Sequence, residues 1–319
     1  MATENTDPVT SALSHATLRG TWGTVLLPIN LDDTIDYGRL ETEIAALAIA
    51  GLDGIYSNGT SGEFYTQTEQ EFDRISGLVA DHAERHSLPF QLGACHPVAQ
   101  IALDRIRRAR SFQPAAIQVT LPDWLPVGHD EAVAFLVRAA EVAAPVGLVL
   151  YNPPHAKRVL TVTQIAELRA AVPALLGVKI GDGSASWYAA VRQQLSDVSV
   201  FVPGHHLATG MLAGAHGSYS NVACLNPVGA ARWNHLIRTD PLRALVIERK
   251  LLAFFQEHLT PLAAQGFSGA ALDKLLCALG GWADVGLRLR WPYKSVPSGI
   301  AHHLRPLVRA AVPDLFEAA

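Results

Sequence analysis

The chain alternates short apolar runs with longer stretches in which apolar residues return every three or four positions. Eight runs read as strands: WGTVLLPI (22–29), GLDGIYSN (51–58), FQLGAC (90–95), AAIQVTL (115–121), VGLVLYN (146–152), LLGVKI (175–180), VSVFVPG (198–204) and AHGSYSN (215–221). Most begin about 30 residues after the one before, the length of one strand plus one helix. The segments between them are amphipathic. DYGRLETEIAALAIA (36–50) gathers Leu40, Ile44, Leu47 and Ala48 on one face. AQIALDRIRRARS (99–111) sets Ile101 and Ile106 against an Arg-rich side, and DEAVAFLVRAAEVAA (130–144) has the same period. Thr66 and Thr68 precede one helical pattern, Thr161 and Thr163 another, as N-cap residues do.

Strand then helix, eight times over, predicts an α/β fold of the TIM (β/α)8 barrel type. An open doubly wound sheet is the rival. Its nucleotide-binding members begin with a Gly-rich turn, whereas the first run here leads into LPINLDD (27–33). Beyond about residue 225 the strand pattern gives way to helical segments, ALVIERKLLAFFQEHL (244–259), AALDKLLCALG (270–280) and IAHHLRPLVRAAV (300–312). The expected organisation is an N-terminal arm at 1–18, a barrel at 19–235 and a small C-terminal helical extension at 236–319.

Composition narrows the class. Hydrophobic residues make up 49% of the 319 and charged residues 17%, which suits a large packed core. The net charge of −4 offers nothing to a polyanion, so neither nucleic acid nor an anionic membrane surface is expected as a partner. There is no apolar run of about 18 residues to span a membrane. The opening MATENTDPVTSALSHATLRG lacks the apolar core of an export signal. Cys95, Cys224 and Cys277 fit neither a disulfide framework nor a zinc spacing, so a reducing, cytoplasmic setting is expected.

In a TIM barrel, chemistry belongs to the C-terminal ends of the strands. The residues closing the runs are therefore the candidates: NGTSGE (58–63), YNPPHAKR (151–158) and Lys179 at the end of LLGVKI. Each has an ordinary reading. The Gly-Thr-Ser stretch suits any turn, Tyr151 any core, and Lys179 could reach solvent from a strand end. Lys179 is nonetheless unusual, because apolar surroundings penalise an ammonium and favour the free, nucleophilic amine. Together on one rim, the three make a site.

GTSGE, then YNPP, then a strand-ending Lys 28 positions after the Tyr resemble the signatures of the dihydrodipicolinate synthase / N-acetylneuraminate lyase family. AHGSYSN is similar to that family's Gly-His-Gly segment at the eighth strand, and the resemblance runs from about residue 20 to the C-terminus. It implies a Schiff-base (class I), pyruvate-handling lyase of the aldolase or hydro-lyase type acting on a 2-oxo acid, with no cofactor and no metal. Lys179 would attack the ketone, Tyr151 would shuttle the proton, and Thr60 and Ser61 would bind the substrate carboxylate. Gly59 and Gly62 would let the backbone approach the substrate closely, while Glu63 reads as a loop anchor. The family usually forms tetramers, so a homotetramer is expected.

The chain also departs from the family's pattern. Synthases carry an Arg five positions after the Tyr to grip a second carboxylate; here Ala156 stands there, followed by Lys157 and Arg158. The relay Tyr supplied by a neighbouring subunit has no match. The segment LPDWLPVGHDE (121–131) offers Asp123 and Trp124 instead, in a form similar to hydratase-aldolases of aromatic 2-oxo-3-enoates. Trp124 would stack on a planar substrate or pack at a subunit contact. His205 and His206 stand where synthases have acidic residues and are candidates for the distal half of a substrate. Ser218, Tyr219 and Asn221 are further candidate contacts, His216 reads as structural, and Asp182 as the cap of the next helix. An aromatic hydratase-aldolase is the expectation. A 4-hydroxy-tetrahydrodipicolinate (dihydrodipicolinate) synthase is the alternative, and a non-catalytic oxo-acid-binding protein the alternative of another class.

Overall fold

The computed structural model describes residues 14–317. Of the expected N-terminal arm, residues 1–13 lie outside the described residues. Eight parallel strands close into a barrel in chain order: β1 (Gly20–Thr24), β2 (Gly54–Ser57), β3 (Phe90–Gly93), β4 (Ala116–Val119), β5 (Leu148–Tyr151), β6 (Leu175–Lys179), β7 (Ser199–Pro203) and β8 (Gly217–Ser220). The helices are α1 (Tyr37–Ala48), α2 (Glu69–Arg85), α3 (Ala99–Ser111), α4 (His129–Ala143), α5 (Val162–Ala171), α6 (Ala185–Gln194), α7 (Leu207–Ala213), α8 (Asn221–Leu225), α9 (Pro227–Thr239), α10 (Pro241–Phe254), α11 (Thr260–Ala264), α12 (Gly269–Gly280) and α13 (Ser298–Ala311). No described helix is long and apolar enough to cross a membrane.

The two-residue strand period sorts side chains between two cores. Trp22, Tyr56, Ala116, Val149, Phe201 and Tyr219 point into the barrel, while Leu148, Leu150 and Val178 face the surrounding helices. Leu18, the last residue of the expected arm, is fully buried in the inner cluster. It packs under β6, with its Cδ2 3.0 Å from where a Cβ on Gly177 would lie. Two residues along the same inward face is Lys179, so the strand delivers it to the opposite, open end.

Thr68 and Thr161 cap α2 and α5, each in a reciprocal pair with the residue three positions on, Glu71 and Gln164. The first run needs correction. β1 stops at Thr24, and residues 25–29 continue as a buried loop. The Leu26 N–H donates to the Glu43 carboxylate at 2.8 Å, and Ile29 bridges Ile35 antiparallel. A continuous apolar run reports burial, and here side-chain hydrogen bonding replaced the ladder. Asp182 is also corrected: Ser184 caps α6, while Asp182 accepts the Tyr188 hydroxyl at 2.5 Å.

The C-terminal helices bear on the site through α12, which lies against α8 directly after β8. A Cβ on Gly280 would fall 1.7 Å from the Leu225 carbonyl oxygen, so only glycine permits this approach. Gly280→Ala is expected to destabilise the fold by about 1–3 kcal/mol, the usual effect of overpacking. In urea unfolding this lowers the midpoint at an unchanged slope; an unchanged midpoint would mean α12 can shift freely. The next contact is ionic. Lys274 of α12 lies 2.5 Å from Glu63, whose other oxygen accepts the Arg290 N–H at 3.0 Å. Glu63 thus anchors the loop that carries Thr60 and Ser61.

Candidate active site

Tyr151 and Lys179 are register partners at the ends of adjacent strands, and both point inward. The Lys179 ammonium lies 4.2 Å from the Tyr151 ring centroid, 5.1 Å from Tyr219 and 5.2 Å from Tyr56. Three ring faces solvate the charge in part, but they do not replace water. Burial lowers the Lys179 pKa to about 8, and the field of Asp273 opposes this. Burial pushes the Tyr151 phenol up to about 12, against a hydrogen bond with the Thr60 side chain. At neutral pH the site therefore holds a protonated phenol beside an amine that deprotonates readily.

Ser61 hydrogen-bonds the carboxylate of Asp273, a residue of α12 that sequence reasoning missed. Burial raises the Asp273 pKa to about 6, against the Ser61 hydrogen bond and the Lys179 charge. The one available signal was a charged pair, Asp273-Lys274, inside the otherwise apolar helix AALDKLLCALG. Tyr56 was also missed, being indistinguishable from a core aromatic in GIYS. It decides Gly59: a Cβ there would lie 1.2 Å from the Tyr56 hydroxyl, so the glycine accommodates the phenol.

Beside Thr60 and Tyr151 opens a cavity of about 400 Å3, walled by Phe64, Tyr65, Trp124 and Ala156. Trp124 is 85% exposed and Leu125 80%. Lys157 donates to the Trp124 carbonyl at 2.7 Å and stands 4.9 Å over its ring. Arg158 donates to the Val127 carbonyl at 2.6 Å. Both cations line the cavity but are tied to the loop between β4 and α4, and Ala156 adds no charge of its own.

The remaining candidates are held by the protein. The Tyr219 ring walls Lys179, but its hydroxyl donates to Gln91 at 2.6 Å. His205 Nδ1 pairs with the Asn221 amide at 2.8 Å, and its ring packs on Phe255. Burial takes the His205 pKa down to about 4, so the ring is neutral. His206 sits 3.4 Å from Asp182, away from the aromatic cavity. His216 Nδ1 accepts the Val200 N–H at 3.1 Å, bracing β7. Among the described residues, no group of three or more His, Cys, Asp or Glu is placed to hold a metal ion.

Known proteins resemble this chain in sequence and in fold. The N-acetylneuraminate lyase of Enterobacter sp. (strain 638) is 25% identical over 202 residues, 63% of this chain and 67% of its own. The 4-hydroxy-tetrahydrodipicolinate synthase of Neisseria meningitidis serogroup C is 28% identical over 204 residues, 63% of this chain and 69% of its own. In fold, the chain matches YagE of E. coli K12, a prophage protein of the dihydrodipicolinic acid synthase family in complex with pyruvate. The TM-score is 0.81 at 20% identity, covering 92% of this chain and 98% of that one. The model of the Dihydrodipicolinate synthetase family matches residues 17–296, taking in the Thr60 loop, Tyr151, Lys179 and α12. With the closed barrel and its C-terminal helices, that match establishes that the chain belongs to the dihydrodipicolinate synthetase family and is an enzyme of the lyase type.

Proposed function

We propose that this lyase forms a Schiff base between Lys179 and a 2-oxo acid, and makes or breaks the carbon–carbon or carbon–oxygen bond next to the resulting iminium. The observation that carries the reading is the Lys179 amine, brought down to about 8 by burial and set against the Tyr151 phenol. The neutral amine attacks C2 of the ketone. Tyr151 moves the proton that turns the carbinolamine hydroxyl into water. Once water has left, the iminium draws in the electrons of the C3–C4 bond in carbon–carbon cleavage, or those of a C3–H bond whose proton is removed in dehydration, and a neutral enamine results; in dehydration the enamine then expels the C4 oxygen, which leaves as water with that proton. Thr60 lies beside the Tyr151 hydroxyl, and the loop backbone around Ser61 is the proposed seat of the substrate carboxylate.

The aromatic cavity beside Tyr151 suits a planar, apolar distal half, as an aromatic hydratase-aldolase requires. Ala156 offers no cation to a second substrate carboxylate, and Lys157 and Arg158 in the same wall are already bonded to backbone carbonyls. Exposed Trp124 and Leu125 at the cavity edge suit burial in an oligomer of this chain, in line with the tetramer common in the family.

Incubation with pyruvate and borohydride is expected to leave one reduced pyruvyl group on Lys179, located by peptide mass spectrometry. The initial rate of labelling should rise about tenfold per pH unit and level off above about pH 8, as the neutral amine becomes the main form. Absence of the adduct throughout the range from about pH 6 to 9 would overturn the reading.

A further inference from the structure

We propose that the 2-oxo acid binds together with one proton, taken up by Asp273 when the substrate carboxylate claims the Ser61 hydroxyl. This rests on the Schiff-base reading of the site.

Ser61 has a single O–H to give, and the structure commits it to Asp273 Oδ2. Asp273 reaches the mouth from α12, so this carboxylate is brought in from outside the barrel strands. A substrate carboxylate bound at Thr60 and Ser61 must take over that O–H. Two carboxylates would then share one hydroxyl in a partly desolvated mouth, where like charges do not both persist. The groups facing Asp273 cannot neutralise the second charge. They are Lys179 from β6, the Tyr151 phenol from β5 and the Cys224 thiol from α8. Only Lys179 is cationic. Lys274, the next residue along, is matched by Glu63. One cation thus faces two carboxylates, and a proton on Asp273 restores balance. The protonated acid then becomes a donor, able to replace the bond that Ser61 withdrew.

The covalent step leaves the proton count readable. A lysine ammonium and a ketone give an iminium and one water, with no net proton gained or lost. Between Asp273 at about 6 and Lys179 at about 8, free Asp273 is mostly ionised and free Lys179 mostly protonated. Near pH 7, where about nine tenths of Lys179 is protonated, nearly all of the proton taken up is therefore that of Asp273. A neutral ketone or aldehyde of similar size would bind without it.

The test is calorimetric titration of pyruvate into the unmodified protein at about pH 7, in phosphate and in Tris, whose ionisation heats differ. Uptake close to one proton per site is expected, with affinity weakening about tenfold from pH 7 to 8. In Asp273→Asn, which keeps an acceptor for Ser61 but cannot titrate, uptake at pH 7 should fall to the minor share set by the neutral fraction of Lys179, and the loss of affinity from pH 7 to 8 should shrink to a few-fold. No proton uptake by the unmodified protein overturns the proposal, and that measurement stands even if the variant fails to fold. Equal uptake by both proteins also overturns it, while the reduced adduct on Lys179 leaves the Schiff-base reading intact. If neither protein gives heat or adduct at any pH, the Schiff-base reading itself falls.

Discussion

Lys179→Ala is expected to abolish adduct formation and to lower turnover by a factor on the order of 10⁵–10⁶, the scale seen when a covalent nucleophile is removed. The fold should survive. Lys179 is half-buried, and its pKa falls from 10.5 to about 8, so the folded state carries a charge it disfavours. That shift corresponds to about 3 kcal/mol opposing folding below pH 8. The sign follows from proton counts. Between about pH 8 and 10.5 the unfolded chain binds the proton and the folded one does not, so stability rises with pH across that window. Alanine removes this dependence along with the stacking on three phenols, and the two effects offset one another near neutrality. The thermal midpoint of Lys179→Ala at pH 7 should therefore stay near that of the unmodified protein, and the difference between them should shift in favour of the latter as pH climbs to about 10. Lys179→Arg sharpens the result. The guanidinium keeps the positive charge but never becomes a free amine, so this variant should be as inactive as alanine. Substantial activity with arginine would make the role of position 179 electrostatic.

The residues proposed for this chemistry differ in how far they can be read from the chain. The barrel was legible because each strand is bounded by turn residues and each helix has a 3.6-residue face, and Thr68 and Thr161 mark helix starts through local bonds. Lys179 and Tyr151 were legible because a charge and a phenol end apolar runs. Errors came where burial and hydrogen bonding part company. Residues 25–29 are as apolar as a strand, yet Glu43 satisfies the Leu26 N–H from the side. Asp182 had the spacing of a cap, but Ser184 is nearer the helix and Tyr188 supplied Asp182 with a better donor. Asp273 lay beyond local reading. Its partner Ser61 is 212 positions away, and only the seating of α12 on α8 brings them together. Gly59 suggested space for a ligand, and the space is filled by Tyr56, three residues earlier on the same strand and turn.

Tyr151→Phe separates proton transfer from everything else the ring does. The substitution keeps the face that lies 4.2 Å from the Lys179 ammonium, so burial of the amine and its lowered pKa should persist. It removes one hydroxyl, the one that lies beside the Thr60 side chain. With a pKa near 12, that hydroxyl remains protonated at neutral pH, so it acts by passing a proton on in the same step that it receives one. Carbinolamine formation and loss of water both need such a relay. The rate of borohydride-trapped adduct and the turnover number should therefore fall together, by roughly 10²–10⁴. The pyruvate concentration for half-saturation should change little, because the proposed carboxylate site at Ser61 is left untouched. A loss of less than tenfold would assign the relay to another group. Among the described residues, Asp273 is the one other titratable side chain hydrogen-bonded to Thr60 or Ser61 within reach of the Lys179 charge. In that case combining Tyr151→Phe with Asp273→Asn should produce the missing loss, well beyond the product of the two single effects.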